Sequence, residues 1–224
     1  MAASDRPGYY DDLDFNSPMT DETASELVAM LRRLEPLRVV DVGCGWAELL
    51  LRLLEACPKA TAIGIDHDDV LLSRAARHAA DRGVADRVEL RPQFDGQLLA
   101  DADLALCVGS EHVVGSRTDA LRMFHEAMPP QSWLLLGTAF WETTPSDALV
   151  ADFGQLPDLG GLLDAVAAAG WRTGSLLVAT DRDWDRFEFG FMADMSDDKV
   201  DDYRGAYLAR RGVLGFAYLL LQRS

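Results

Sequence analysis

Two glycines one residue apart, Gly43 and Gly45, stand directly after the apolar run Val39-Val40-Asp41-Val42, and an amphipathic stretch from Leu49 to Cys57 follows at once. That order predicts a strand, a tight turn and a helix N-terminus. Glycines there permit positive φ and let a ligand approach the main chain. A dinucleotide-binding turn wants Gly-x-Gly-x-x-Gly or -Ala, with a small third residue beneath a pyrophosphate. Here that position is Glu48, whose carboxylate would repel a diphosphate, and the small residue is Ala47 one place earlier. Asp66 ends Gly64-Ile65-Asp66 about 25 residues past Asp41, where a carboxylate can accept hydrogen bonds from both hydroxyls of a ribose. Farther on, Gly109-Ser110-Glu111-His112 follows another apolar run. His112 is the best-placed candidate base, because an imidazole titrates near working pH. The alternative is a histidine that bonds to backbone and shapes a pocket. His78 and His125 fall mid-helix and read as structural or solvent-facing. No histidine pair has ligand spacing with a carboxylate, so no metal is expected.

These residues need elements to hold them. Thr20 is a candidate N-cap, with Asp21 and Glu22 suited to the first turn of a helix. Leu27, Met30, Leu31 and Leu34 then mark one face of that helix, which ends before Pro36. The chain alternates from there. Strands are predicted at 38–42, 61–65, 87–90, 104–108 and 133–140, and helices at 47–56, 68–82, 117–128 and 159–169. Segment 91–100 and the turn around Pro145 read as irregular. The strands are near-continuous apolar runs, which suits a mostly parallel, doubly wound α/β sheet covered by helices on both faces, with the ligand site at the strands' carboxyl ends. After a strand at 171–179, two helices at 183–195 and 197–211 precede a closing strand at 213–221, expected to pair antiparallel at the C-terminal end. We expect one domain over 1–224. Residues 1–35 form an N-terminal arm and helix, and 182–212 a helical insertion before the last strand. Residues 1–19, with Tyr9, Tyr10 and Phe15, form either an unstructured tail or a lid over a pocket.

Composition narrows the partners. The 224 residues carry a formal charge of −16, which repels phosphate backbones and makes nucleic acid an unexpected substrate. No apolar run approaches a membrane span and no signal-peptide core opens the chain, so a cytoplasmic location without membrane attachment is the default. Cys44, Cys57 and Cys107 lack CxxC spacing and read as buried, reduced thiols.

The Gly43-Cys44-Gly45-Trp46-Ala47 turn resembles motif I of class I S-adenosylmethionine-dependent methyltransferases. That ligand has a sulfonium, an ammonium and a carboxylate but no phosphate, so Asp41 and Glu48 could stabilise its cationic part. The resemblance implies a cofactor site of Asp41, Gly43, Cys44, Gly45, Asp66, His67 and Gly109, with Phe94-Asp95 placed where the family bonds the adenine amino group. Gly109-Ser110-Glu111-His112-Val113-Val114-Gly115, Phe140-Trp141-Glu142-Thr143-Thr144-Pro145, Asn16-Ser17-Pro18, Trp184 and Arg211-Gly212-Val213-Leu214-Gly215-Phe216 are similar to segments of a broad bacterial group of small-molecule methyltransferases.

The family's marks of amino-adenine, cytosine C5, catechol-type and arginine methylation are all missing. Methyl transfer by in-line displacement needs positioning and desolvation more than a dedicated catalytic set. The expected activity is therefore methyl transfer from S-adenosyl-L-methionine, yielding S-adenosyl-L-homocysteine, to N, O or C of a small aromatic or hydrophobic molecule. His112 would be the base or a positioning residue. Tyr9, Tyr10, Ser110, His112, Trp141 and Trp184 would contact the substrate, whereas Phe187 and Phe191 read as core. The expected state is monomer or homodimer. Two alternatives stay open: a nicotinamide-dependent oxidoreductase, and a protein of this fold that binds the donor without catalysis.

Overall fold

The computed structural model of the chain describes residues 13–193 and 195–223. Strands β1 (Arg38–Val42), β2 (Thr61–Ile65), β3 (Val88–Arg91), β4 (Leu104–Val108), β5 (Trp133–Trp141), β6 (Trp171–Val178) and β7 (Leu214–Arg223) form one sheet in the order β3-β2-β1-β4-β5-β7-β6. β1, β2, β3, β4 and β5 pair in parallel, and β7 runs antiparallel to both β5 and β6. Burial follows place in the sheet. The interior strands β1, β4, β5 and β7 are covered on both faces, while the edge strands β3 and β6 are largely open. This is why the interior strands read as unbroken apolar runs.

The helices are α1 (Asp21–Leu31), α2 (Glu48–Ala56), α3 (Asp69–Asp81), α4 (Arg117–Ala127), α5 (Asp147–Phe153), α6 (Leu159–Ala168), α7 (Asp181–Ala193) and α8 (Asp197–Arg210). Several starts are set by short polar side chains that accept from otherwise orphaned N–H groups. Thr20 caps α1, Asp68 caps α3, Ser116 and Asp119 form a capping box on α4, and Ser146 and Asp158 cap α5 and α6. Leu27, Leu31, Leu50, Leu51 and Leu54 of α1 and α2 pack on one sheet face. Leu121, Phe124, Leu162 and Val166 of α4 and α6 pack on the other. A smaller cluster, Trp141, Leu149 and Leu214, lies beyond the end of β5.

The doubly wound architecture and its C-terminal antiparallel strand agree with expectation. One element was not foreseen. α5 occupies part of the stretch read as a turn around Pro145; it has seven residues and buries only Leu149, too little to leave a periodic signal. β1 and β4 adjoin although the chain runs from β1 to β2, so their carboxyl ends form the switch point where a ligand crevice opens.

Candidate functional site

At that crevice lies a cavity of about 280 Å³. The turn after β1 is fastened to β2: the N–H groups of Gly43 and Cys44 both donate to the Ile65 carbonyl at 2.8 Å. Gly43 has φ +75°, and a Cβ there would stand 2.2 Å from Cβ of Ser110, so conformation and space both demand glycine. Ser110 in turn donates its hydroxyl to the Val42 carbonyl. Gly45 donates its N–H to Oδ2 of Asp66 at 2.8 Å, and the Asp68 N–H donates to Oδ1 at 3.0 Å. Those two donors fix the Asp66 carboxylate and leave it further lone pairs. Ala47, also at positive φ (59°), turns the chain into α2.

The acidic groups here are handled in opposite ways. Asp41 is 6 % exposed, and its carboxyl is pushed up to about 8, first by burial and then by the charge of Asp66. Glu48 is equally buried but paired. Arg82 donates to both its oxygens at 2.7 Å and Arg52 to Oε1 at 2.7 Å. Burial alone would raise the Glu48 pKa, but the hydrogen bonds from Arg82 and Arg52 outweigh it and hold the carboxyl below the ordinary range. This corrects one expectation: Glu48 borders the cavity, yet its charge is matched by Arg52 of α2 and by Arg82 just after α3, so it is not a free counter-charge for a ligand. Burial pushes the thiols of Cys44 and Cys107 upward, Cys107 to about 12, and all three cysteines are free.

Of the expected site residues, the cavity gathers Asp41, Gly43, Cys44, Gly45, Asp66, His67, Gly109, Ser110 and His112. His112 is exposed on a short 3-10 turn, Glu111–Val113, and His67 lies open at the rim. The Ser110 hydroxyl, expected to meet substrate, has its proton committed to Val42, which keeps the ends of β1 and β4 together. Phe94 and Asp95 do not line this cavity. Phe94 packs against the second core, and Asp95 accepts from the Gln97 N–H at 2.9 Å to cap the turn Gly96–Leu99.

Trp141 and Trp184 stand apart as well. Trp141 is 6 % exposed and meets Phe153 edge-on, and Trp184 meets Phe216 edge-on. The reason is that Trp141 is still the last residue of β5 and turns into the small cluster beyond it. Both indole N–H groups are buried without a hydrogen-bond partner among the described residues. Tyr9 and Tyr10 lie outside the described residues.

Phe15, Asn16, Ser17 and Met19 form a wall of the cavity, in the stretch that sequence left open between an unstructured tail and a lid over a pocket, without assigning Asn16, Ser17 or Met19 to the site. They sit on a strap, residues 13–20, tied down at several points. Trp46 Nε1 donates to the Asp14 carbonyl at 2.8 Å and Arg74 to the Leu13 carbonyl at 3.0 Å. The buried Tyr218 hydroxyl donates to the Pro18 carbonyl at 3.0 Å. The sequence signals were the aromatic Phe15 in a proline-broken arm and the family-like Asn16-Ser17-Pro18.

The sheet order and the position of the cavity define the class I methyltransferase architecture. Comparison with known proteins agrees. A methyltransferase-domain family model matches residues 40–134. The Escherichia coli protein YjhP is 28 % identical over 189 residues, covering 77 % of this chain and 73 % of that protein. A trans-aconitate 2-methyltransferase of Mycobacterium tuberculosis is 27 % identical over 125 residues, 56 % of this chain; the match spans 46 % of that enzyme's length. Among solved structures, a SAM-dependent methyltransferase from Geobacter sulfurreducens in complex with S-adenosyl-L-homocysteine superposes with a TM-score of 0.82 at 23 % identity, covering 98 % of this chain and 99 % of that one. Over residues 40–134 the chain matches a methyltransferase domain, and its fold is that of SAM-dependent methyltransferases solved with S-adenosyl-L-homocysteine. Among the described residues no helix is long and apolar enough to cross a membrane, and no cluster of three or more metal-type ligands occurs.

Proposed function

We propose that this cavity holds S-adenosyl-L-methionine and that the chain, acting as one domain, methylates an N, O or C atom of a small aromatic or hydrophobic molecule. The observation that carries the donor assignment is charge. The described lining includes Asp41, Asp66, Asp68 and the neutralised Glu48 but no lysine or arginine. Such a lining repels a diphosphate and attracts a sulfonium and an ammonium, which separates this reading from a nicotinamide enzyme. Asp41 faces the cationic methionyl part, and the backbone of Gly43, Cys44 and Gly45 lets the ligand approach. Asp66, held by Gly45 and Asp68, accepts from the ribose hydroxyls. His67 serves the adenine end and Gly109 borders the centre; Phe94 and Asp95, which lie off this cavity, would reach the adenine only if their loop turned toward it.

The bound donor supplies an already activated methyl group for in-line displacement. The protein's part is to orient the acceptor, exclude water and, where the nucleophile carries a proton, receive it. His112, exposed on its turn beside Gly109 and Ser110, is the group placed to receive that proton or to orient the acceptor. Trp141 and Trp184 carry buried indole N–H groups that have no partner among the described residues, suited to an acceptor with an oxygen and an aromatic or apolar body; Tyr9 and Tyr10, outside the described residues, remain substrate-contact candidates. A tricarboxylate such as the substrate in the mycobacterial relative's name fits a lining without a described cation poorly, which favours a neutral or cationic acceptor.

Calorimetry with S-adenosylhomocysteine and NAD in parallel tests the donor. We expect saturable binding of the former and none of the latter; the reverse result would overturn the assignment. Acceptors are then found by mass spectrometry as products gaining one methyl group.

A further inference from the structure

One buried carboxylate is not used by the site described above, yet it touches the wall of that site. Asp183, in the first turn of α7, is 1 % exposed and accepts five hydrogen bonds. Its Oδ2 takes the N–H of Thr180 at 2.8 Å and the Thr180 hydroxyl at 2.6 Å, while the Asp183 N–H donates back to Thr180 Oγ1 at 3.3 Å. That is a capping box closing α7. Its Oδ1 reaches an element 160 residues away, taking the Thr20 N–H at 2.9 Å, the Thr20 hydroxyl at 2.8 Å and the Thr23 hydroxyl at 2.6 Å. Thr20 is both the N-cap of α1 and the last residue of the strap that walls the cavity. One carboxylate therefore closes the cap of α7, holds Thr20 in its capping place on α1, and pins the end of the strap between them.

We propose that Asp183 is a positioning residue for the donor pocket: through Thr20 and Thr23 it fixes the strap so that Phe15, Asn16, Ser17 and Met19 stand as a preformed wall. An aspartate serving only as a cap of α7 would need no partners on α1. The second oxygen is instead saturated by three donors from the strap's end and the helix it leads into, in a setting where charge-assisted hydrogen bonds are strong. Burial alone would raise the Asp183 pKa, but the bonds from Thr180, Thr23 and Thr20 outweigh it and hold the carboxyl below its ordinary range. Trp46, Arg74 and Tyr218 grip strap carbonyls upstream of Thr20, and Arg186 of α7 meets the Asp14 carboxylate at 3.5 Å while Arg52 lies over the Phe15 ring. Loosening its downstream end would let the wall swing about them. A preformed wall spares the ligand the ordering of that segment on binding.

This inference rests on the donor reading, so its test separates the two. Thr23→Val removes a strap-side bond, Thr23→Ser restores the hydroxyl, and Thr180→Val removes bonds on the α7 side only. The readouts are S-adenosylhomocysteine affinity by calorimetry, melting temperature, and hydrogen exchange of residues 13–20 in the ligand-free protein. Thr23→Val should weaken affinity by about tenfold and speed exchange in the strap, with Thr23→Ser close to wild type. Thr180→Val should lower the melting temperature comparably yet leave affinity within about twofold and strap exchange unchanged. Equal losses of affinity in Thr23→Val and Thr180→Val would make Asp183 merely structural, and an unchanged affinity in Thr23→Val would also overturn the proposal. A wild-type protein that fails to bind S-adenosylhomocysteine refutes the donor reading, while the exchange contrast still decides whether Asp183 fixes the strap.

Discussion

Asp41 and Glu48 are seven residues apart and similarly buried, and they differ in what meets them. Glu48 has two arginines; Asp41 has only Asp66 as a charged neighbour of consequence and is pushed from the ordinary 3.8 to about 8. At neutral pH the ligand-free protein therefore holds a proton on Asp41. A bound cation favours the charged form and drives that proton off. Under the proposed assignment, S-adenosylmethionine binding at pH 7 should show apparent enthalpies that differ between buffers of low and high ionisation enthalpy. In Asp41→Asn they should coincide, and buffer-independent enthalpies in the wild type would remove Asp41 from the cation's surroundings. The stability sign follows. The folded state binds this proton more tightly than the unfolded state, so the group's contribution is fully present below pH 3.8 and is lost as pH rises toward about 8. Relative to Asp41→Asn, the ligand-free wild type should melt progressively lower between pH 5 and 8, on the order of several degrees. The identity of Asp41 was legible from sequence. The neutralisation of Glu48 was not, because Arg82 reaches it from 34 residues away.

Elements meet most tightly where β1 and β4 end. The absent Cβ of Gly43 is replaced by Ser110, whose hydroxyl closes on Val42. Gly43→Ala should lower the melting temperature by roughly 5–10 °C, through positive-φ strain and a steric clash. Adding Ser110→Gly should recover part of that loss, because it removes the clash and leaves only the strain. A double variant no better than the sum of its single losses would show that the two strand ends are not fitted to each other. The strands themselves were readable, since burial on both faces leaves an unmistakable apolar run. The placement of Trp141 was not. That a residue follows a strand's carboxyl end says it is near the crevice, but its direction depends on the strand's last register and on α5, which left no pattern. The strap is the same kind of case: polar, proline-broken sequence carries no period, and its order comes from Trp46, Arg74, Asp183 and Tyr218, all distant in the chain.

The whole molecule carries a formal charge of −16. Self-repulsion of that size opposes compaction and is screened by salt. Raising ionic strength from about 10 to about 200 mM should raise the melting temperature of the ligand-free protein by a few degrees; a fall would mean that the surface ion pairs outweigh the net repulsion. The overall α/β architecture was legible because each βα unit repeats the same alternation. The order of the final strands was only half so, since pairing between β6 and β7 could be inferred but not that β7 would lie inside.

That arrangement bears on how the chain is made. β7 is the seventh strand in sequence but takes the sixth place in the sheet, between β5 and β6. Until it emerges, the nascent chain holds β5 with one bare hydrogen-bonding edge while some 70 further residues are translated, about 4–15 s at typical rates. During that interval β6, α7 and α8 exist without the strand that joins them to the rest. A ribosome stalled within that stretch would present an apolar, unsatisfied edge to any chaperone, protease or neighbouring nascent chain within reach.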